Sequence, residues 1–293
     1  MSIIKTAATG CKLNYFLKVT GKRADGYHNI STLFHHLPVP SDTVELQLDA
    51  DNGIRVSCDR PDLPQDLKNL AGKAAQAYAQ AAGLSPCWKI FIRKGVPSAA
   101  GLGGGSADAG CVLRLLEEHY QALGREKLLN VAAGIGADVP FFLEPGLVQA
   151  EGIGEKMTRF DIPVRRPELL IVNPGFPVSA RWAYCHLAKD RIGEDVHNTP
   201  QEIVRALQAG DTEKLACLMH NDLEYALFDK FPLLEVLRDN LKEQNALRVM
   251  VSGSGSSLLA LFPDAASRRS GAAAVKELLK SDPVSAVFEL QGE

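Results

Sequence analysis

The run Pro97-Ser98-Ala99-Ala100-Gly101-Leu102-Gly103-Gly104-Gly105-Ser106 has the composition of an anion cradle. Gly101, Gly103, Gly104 and Gly105 lack Cβ atoms, so their backbone can take positive φ and approach a ligand closely. Successive amide N–H groups then converge on one point, and a helix starting at Ser106 would add the positive end of its dipole. Ser106 is expected as the N-cap of that helix, with its hydroxyl available to a phosphate oxygen or to Mg²⁺. Glycine clusters also occur in plain surface loops. This one lies between a short strand and an amphipathic helix, and a proline fixes its start, which favours phosphate binding. No Gly-Lys-Ser/Thr follows, so it is not a Walker A loop. Gly101-x-Gly103-x-x-Ser106 also lacks the third glycine and the βαβ surroundings of a dinucleotide fingerprint. The lysine that neutralises phosphate charge must therefore come from elsewhere.

Lys12 is the candidate. From Cys11 to Thr20 the residues alternate, with Leu13, Tyr15, Leu17 and Val19 on one face and Lys12, Asn14, Phe16 and Lys18 on the other. A strand would aim Lys12 and Asn14 the same way. A lone strand lysine is ordinarily solvated surface; the neighbouring Asn14 and the apolar opposite face make a directed position arguable. Asp138 is the second candidate. It lies in Gly136-Ala137-Asp138-Val139-Pro140, read as a helix-to-strand junction, where a carboxylate can be held rigidly; a turn or cap role fits the same segment.

The elements that must carry these residues are legible in outline. Thr43–Leu48 and Gly53–Cys58 read as a hairpin around Asp51-Asn52-Gly53. Leu70, Ala71, Ala74, Ala75, Tyr78 and Ala82 form a helical stripe that Gly83 ends. Trp88–Ile92 is a short strand before the glycine run. The helix after Ser106 is expected to stop at Gly124, and Leu128–Ala133 to form another. Farther on, Glu168–Asn173, Leu247–Val251, Ser257–Phe262 and Val284–Leu290 read as strands, and Gln201–Leu207, Thr212–Met219, Pro232–Leu241 and Ala265–Leu279 as helices. Strands and helices mix without βαβ alternation, which predicts α+β architecture in two domains with a boundary near Arg159.

Composition sets the class. The chain has 293 residues, 46% hydrophobic and 23% charged, as a soluble globular protein does. A net charge of −3 with mixed signs gives no field that would gather nucleic acid or an anionic membrane. The six cysteines are scattered, with no C-x-x-C pair, and are read as reduced thiols. Met1–Thr6 lacks the pattern of a signal peptide, and no run reaches the roughly eighteen apolar residues of a membrane span. A cytoplasmic location is expected.

Lys12-Leu13-Asn14, the Pro97–Ser106 run and Ser252-Gly253-Ser254-Gly255 resemble, in that order, the three motifs of the GHMP small-molecule kinases. Within that superfamily, Asp25-Gly26-Tyr27-His28, Ala100–Ser106 and Gly136–Phe142 together resemble the branch whose acceptor is a cytidine diphosphate-linked polyol. That polyol, a cytidylated methylerythritol, lies on the non-mevalonate route to isoprenoid precursors. The resemblance runs from about Lys12 to the end of the chain, dense in the first half and thin after Asn173.

The resemblance implies a two-domain α+β GHMP kinase fold with the active site in the interdomain cleft. Residues 1–158 would form the N-terminal domain with the glycine loop, and residues 159–293 the C-terminal domain. ATP is implied as co-substrate, with Mg²⁺, and the protein as a monomer or weak homodimer without nucleic-acid or membrane partners. Asp138 would accept the proton of the substrate C2 hydroxyl as it attacks the γ-phosphorus, and Lys12 would stabilise charge at the transferring group. Tyr27 would stack on cytosine, His28 would hydrogen-bond its edge, Tyr184 would form the opposite aromatic wall and Asn14 would bind substrate. Asn69 would contact the adenine side, and Pro97 through Ala107 the phosphates.

Three departures from the family pattern stand out. Gly10-Cys11 replaces the usual Pro-Ala before the lysine, which would loosen the strand without moving the ammonium. Ala107 replaces a serine, removing one hydroxyl that phosphate or Mg²⁺ could use. Lys68 replaces an acid before Asn69. A GHMP kinase for another alcohol, such as homoserine or mevalonate, is the alternative; neither carries a base for Tyr27 and His28. A regulator that kept the nucleotide loop but lost catalysis is a further alternative, opposed by the presence of both Lys12 and Asp138.

Overall fold

The computed structural model describes residues 3–48, 53–187 and 198–292. In chain order its first elements are β1 (Ile4–Lys22), β2 (His28–Gln47), β3 (Gly53–Cys58), α1 (Leu70–Ala82), β4 (Cys87–Arg93), α2 (Gly104–Tyr120), α3 (Gly124–Ile135) and α4 (Val139–Leu143). Then come β5 (Leu147–Gly152), β6 (Lys156–Phe160), β7 (Glu168–Asn173), α5 (Ala180–Cys185), α6 (Pro200–Ala209), α7 (Thr212–Leu218) and β8 (His220–Asn221). The chain closes with α8 (Glu224–Lys230), α9 (Pro232–Glu243), β9 (Arg248–Val251), β10 (Leu258–Phe262), α10 (Ala265–Leu278) and β11 (Ala286–Leu290). The architecture is α+β. Two compact units form: one from the chain up to Lys12, His36–Ser98 and Gly103–Gly146, the other from Leu13–His35, Ala99–Leu102 and the chain from Leu147 on.

In the first unit, β4 pairs antiparallel with Thr43–Gln47 of β2 and parallel with β3. The expected hairpin between 43–48 and 53–58 is therefore not formed: the two runs lie on either side of β4. Alternate residues of β4 explain this, since Trp88, Ile90 and Ile92 all enter the core and make it a central strand. Ala71, Ala74, Ala75 and Tyr78 of α1 pack on that core, and the Tyr78 hydroxyl donates to Glu117 Oε2 of α2 at 2.6 Å. Helix α1 starts on the Asn69 side chain, which accepts from Ala71 N–H, and ends at Gly83 as expected. Helix α2 stops at Tyr120 with Gln121 as its left-handed cap; Gly124 opens α3 instead of closing α2.

β1 is continuous through Gly10, so the missing proline does not loosen it. A Cβ at position 10 would lie 1.9 Å from the Leu37 carbonyl oxygen, so glycine allows the two backbones to touch there.

The second unit contains an antiparallel sheet in the order β11-β7-β10-β9. Its apolar face carries Leu170, Val172, Leu258, Ala260 and Phe262, which pack with Leu234, Leu237 and Leu241 of α9 and Val275 of α10. Elsewhere in this unit, β5 pairs with Ile30–His35 of β2 and with β6, and β8 pairs parallel with Phe16 and Leu17 of β1. No helix among the described residues is long and apolar enough to cross a membrane.

Helix α4 reaches α2 through one small residue. A Cβ at Gly110 would lie 2.8 Å from Phe142 Cβ and 3.3 Å from the Phe142 carbonyl carbon. Alanine in a helix interior ordinarily gains about 1 kcal/mol over glycine. Here overpacking, worth about 1–3 kcal/mol, outweighs that gain. Gly110→Ala is expected to lower the unfolding free energy and to shift α4 with the residue just before it, Asp138. Denaturant titration checks this, and a stabilised variant would contradict it.

Candidate active site

Lys12 occupies a strand buried on both faces, not one face as the alternation suggested. Leu13, Asn14, Tyr15 and Phe16 are all 1% exposed or less, and Lys12 itself is 7% exposed. Its Nζ lies 3.6 Å from Asp138 Oδ2. Asp138 directly precedes α4, so it stands between two helices and not at a helix-to-strand junction. Its side chain makes no cap hydrogen bond, which leaves the carboxylate to face Lys12. The Asp138 carboxylate is 32% exposed and the Lys12 side chain 9%, so the pair meets water from the carboxylate side.

The glycine run meets this pair at Gly103, whose φ is +75°. A Cβ there would sit 2.8 Å from Lys12 Cγ and 3.0 Å from Phe142 Cζ. Only a residue without a side chain satisfies both the dihedral and the space. Gly103 is therefore the N-cap, α2 begins at Gly104, and Ser106 falls within the first turn instead of capping it. The first backbone bond runs from Ala107 N–H to Gly103 O at 2.9 Å. The N–H groups of Gly104, Gly105 and Ser106 have no intrahelical acceptor, as at every helix start. Pro97 and Ser98 are half-buried on the approach to the run, and Ala107 is fully buried beneath its end.

Ala99–Leu102 is gripped by the second unit's own backbone. The Ala99 carbonyl accepts from Val178 N–H at 3.0 Å and the Ala100 carbonyl from Ser257 N–H at 3.1 Å. Ser252 Oγ donates to the Gly101 carbonyl at 3.4 Å. Gly101 has φ +79°, and a Cβ on it would lie 2.0 Å from the Ser252 carbonyl oxygen. The Ser252-Gly253-Ser254-Gly255-Ser256 turn is thus a clamp on the glycine run. The sequence displays this turn but not its partner, about 150 residues away in the chain.

Among the base-pocket candidates, the structure brings His28 and Tyr184 together. Their rings stack with centroids 5.6 Å apart and planes 19° from parallel. Tyr184 is on α5, which Ser179 starts by accepting from Trp182 N–H. Burial and the Lys22 ammonium hold the His28 imidazole below its ordinary value, so the neutral ring dominates at neutral pH. Tyr27 is 62% exposed, its backbone fixed by Asp25 Oδ1 on its N–H and by Arg23 N–H on its carbonyl. Asn14 Nδ2 donates to Thr32 Oγ1 at 2.7 Å, and that hydroxyl donates to the Phe16 carbonyl at 2.6 Å. Asn69 caps α1 and donates to the Pro64 carbonyl at 3.0 Å. Beside that cap, an open hollow of about 450 Å³ is lined by Ile54, Val56, Ser57, Asp66 and Leu67.

The chain is similar to known proteins along nearly its whole length. The family model for the GHMP kinases N terminal domain matches residues 69–146, and that for the GHMP kinases C terminal matches residues 203–281. A 4-diphosphocytidyl-2-C-methyl-D-erythritol kinase of Nitratidesulfovibrio vulgaris (strain DP4) is 38% identical over 286 residues, covering 95% of this chain and 96% of that protein. An enzyme of the same name from Clostridium botulinum (strain Kyoto / Type A2) is 35% identical, covering 86% and 89%. A solved structure of 4-(cytidine 5'-diphospho)-2C-methyl-D-erythritol kinase superposes with a TM-score of 0.79 at 30% identity, covering 99% of this chain and all of that one. A homoserine kinase structure from Cytophaga hutchinsonii, at TM-score 0.75 and 21% identity, shares the fold. Matching motifs, matching domains and similarity along nearly the whole chain agree: the chain belongs to the 4-diphosphocytidyl-2-C-methyl-D-erythritol kinase family of GHMP kinases.

Proposed function

We propose that this chain transfers the γ-phosphate of ATP to the C2 hydroxyl of 4-diphosphocytidyl-2-C-methyl-D-erythritol, giving the 2-phosphate and ADP. The observation that carries the reading is the Lys12–Asp138 pair, 3.6 Å apart and set against Gly103 at the head of α2. Phosphoryl transfer asks mainly for positioning and for charge stabilisation where charge develops. The amides of Gly104, Gly105 and Ser106 take the phosphates, with the Ser106 hydroxyl on a phosphate oxygen. Asp138 accepts the proton of the C2 hydroxyl. That oxygen forms its bond to the γ-phosphorus as the bond to the β–γ bridging oxygen breaks, and ADP leaves with the electron pair. The Lys12 ammonium offsets charge on the transferring group. Adenine takes the hollow beside Asn69.

No group of three or more His, Cys, Asp or Glu among the described residues could hold a metal ion. Mg²⁺ accompanying ATP would supply charge neutralisation at its phosphates, and no residue of the chain is assigned to it. The acceptor is identified by its base: cytosine stacks on Tyr27, with His28 at its edge and Tyr184 as the facing wall. Homoserine and mevalonate have no base to place there. We place the enzyme in the cytoplasm, as a monomer or weak homodimer acting on small molecules.

Asp138→Asn keeps the side-chain shape but removes the proton acceptor. It is expected to bind both substrates nearly normally and to lose about 10²–10⁴-fold in kcat, the usual contribution of a positioned base. Pre-steady-state and steady-state assays check this, and turnover close to wild type would remove Asp138 from the chemistry. Tyr27→Ala is expected chiefly to raise KM for the cytidylated substrate, with the KM for ATP little changed. An unchanged KM for that substrate would contradict the stacking role.

A further inference from the structure

Beneath the glycine run lies a buried charge cluster that the reaction as described does not use. Lys94 Nζ sits 2.5 Å from Asp42 Oδ2 and 2.7 Å from Asp108 Oδ2. The three side chains are only 6%, 0% and 3% exposed. Asp42 Oδ1 accepts the N–H groups of Gly95 and Val96, at 2.7 and 2.8 Å, just before Pro97. A Cβ on Gly104 would lie 3.4 Å from Asp42 Oδ2. Asp108 is on α2, four residues past its first helical glycine, and its Oδ1 is buried without a hydrogen-bond partner. The cluster therefore joins the start of the glycine run to the helix whose N-terminus faces the phosphates.

The charges do not balance. One ammonium and two carboxylates would leave a buried net charge of −1 under a site meant for a polyanion. A buried carboxylate oxygen without a partner is also more costly than the oxygen of a neutral acid. Asp42 and Asp108 share a single ammonium, so two like charges stand side by side there unless one carboxyl carries a proton. We propose that Asp108 is a positioning residue for the nucleotide, acting as the protonated acid so that Lys94, Asp42 and Asp108 form a neutral floor under the glycine run. This rests on the reading that the run binds ATP phosphates.

Burial, reinforced by Asp42 and opposed by Lys94, pushes Asp108 up to about 8. Other groups near it are few. Cys111, one turn along α2, is itself raised by burial to about 11 and is neutral at the pH concerned. Helix α1 presents Lys73, which is exposed; α3 presents exposed Arg125, Glu126 and Lys127; α4 has no ionisable residue. The direction follows. A site that binds ATP better with Asp108 protonated takes up protons on binding, and loses affinity as pH rises through that value.

The test is the dissociation constant of ATP, measured by calorimetry from pH 7 to 9.5 in two buffers of different ionisation enthalpy. Wild-type protein is expected to show a constant that rises above pH 8, by up to about tenfold per pH unit, with proton uptake on binding. Asp108→Asn, isosteric and unable to ionise, is expected to show a level constant and no uptake. In turnover assays the wild-type pH effect should fall on KM for ATP and spare kcat. If wild type binds ATP with a level profile and no proton uptake, or if Asp108→Asn keeps the fall, the proposal is overturned. Should Asp108→Asn fail to fold, the wild-type proton uptake decides alone. An absence of ATP binding at every pH would overturn the ATP reading of the glycine run, and this inference with it.

Discussion

The backbone must pass through the left-handed region at Gly101 and again at Gly103, each time against other atoms, and the site is arranged around that constraint. In one unit Gly101 abuts the Ser252 carbonyl so closely that a Cβ would be 2.0 Å from its oxygen. In the other, Gly103 turns beside the Lys12 stem and the Phe142 ring. Positive φ at Gly103 decides where α2 begins, and so which amides stay unbonded at its head. The same ring and Gly110 decide where α4 lies, and Asp138 is the residue just before α4. Loop, lysine and carboxylate are thus placed by one set of close approaches.

Two lysines of the first unit illustrate how burial separates chemistry from scaffolding. Lys12 meets a carboxylate that is a third exposed, so that pair is wetted from one side. Lys94 meets two carboxylates that are almost wholly enclosed. Removing Lys94 or Asp42 from such a cluster leaves an uncompensated buried charge, typically a cost of about 3–5 kcal/mol. Lys94 therefore anchors Asp42, whose other oxygen holds the Gly95 and Val96 amides, while the Lys12 pair keeps one side in water.

Much of this was legible in the sequence because the decisive residues are punctuation. Gly83 ends α1, the glycine run precedes α2, and the apolar periodicity of α9 and α10 marks their buried faces. The three motifs in order were enough to suggest the family. What was not legible depended on distant partners. The run 53–58 looks like the return of a hairpin, but β4 has the stronger buried pattern and intervenes between it and β2. Ser106 looks like an N-cap by residue type, yet the left-handed turn at Gly103 starts the helix earlier. Short pieces such as α4, α5, β5 and β6 carry too few residues to show a period. Asp42, Lys94 and Asp108 are unremarkable singly; only folding brings residues 42 and 94 into one cluster.

Similarity to 4-diphosphocytidyl-2-C-methyl-D-erythritol kinases along nearly the whole chain carries the proposed acceptor. The most direct test is a coupled ADP-release assay on the purified chain, offering 4-diphosphocytidyl-2-C-methyl-D-erythritol, homoserine and mevalonate separately with ATP. The account predicts turnover with the cytidylated polyol alone, with phosphorus NMR placing the new phosphate on C2. Comparable turnover of homoserine or mevalonate, or a phosphate on another hydroxyl, would contradict it.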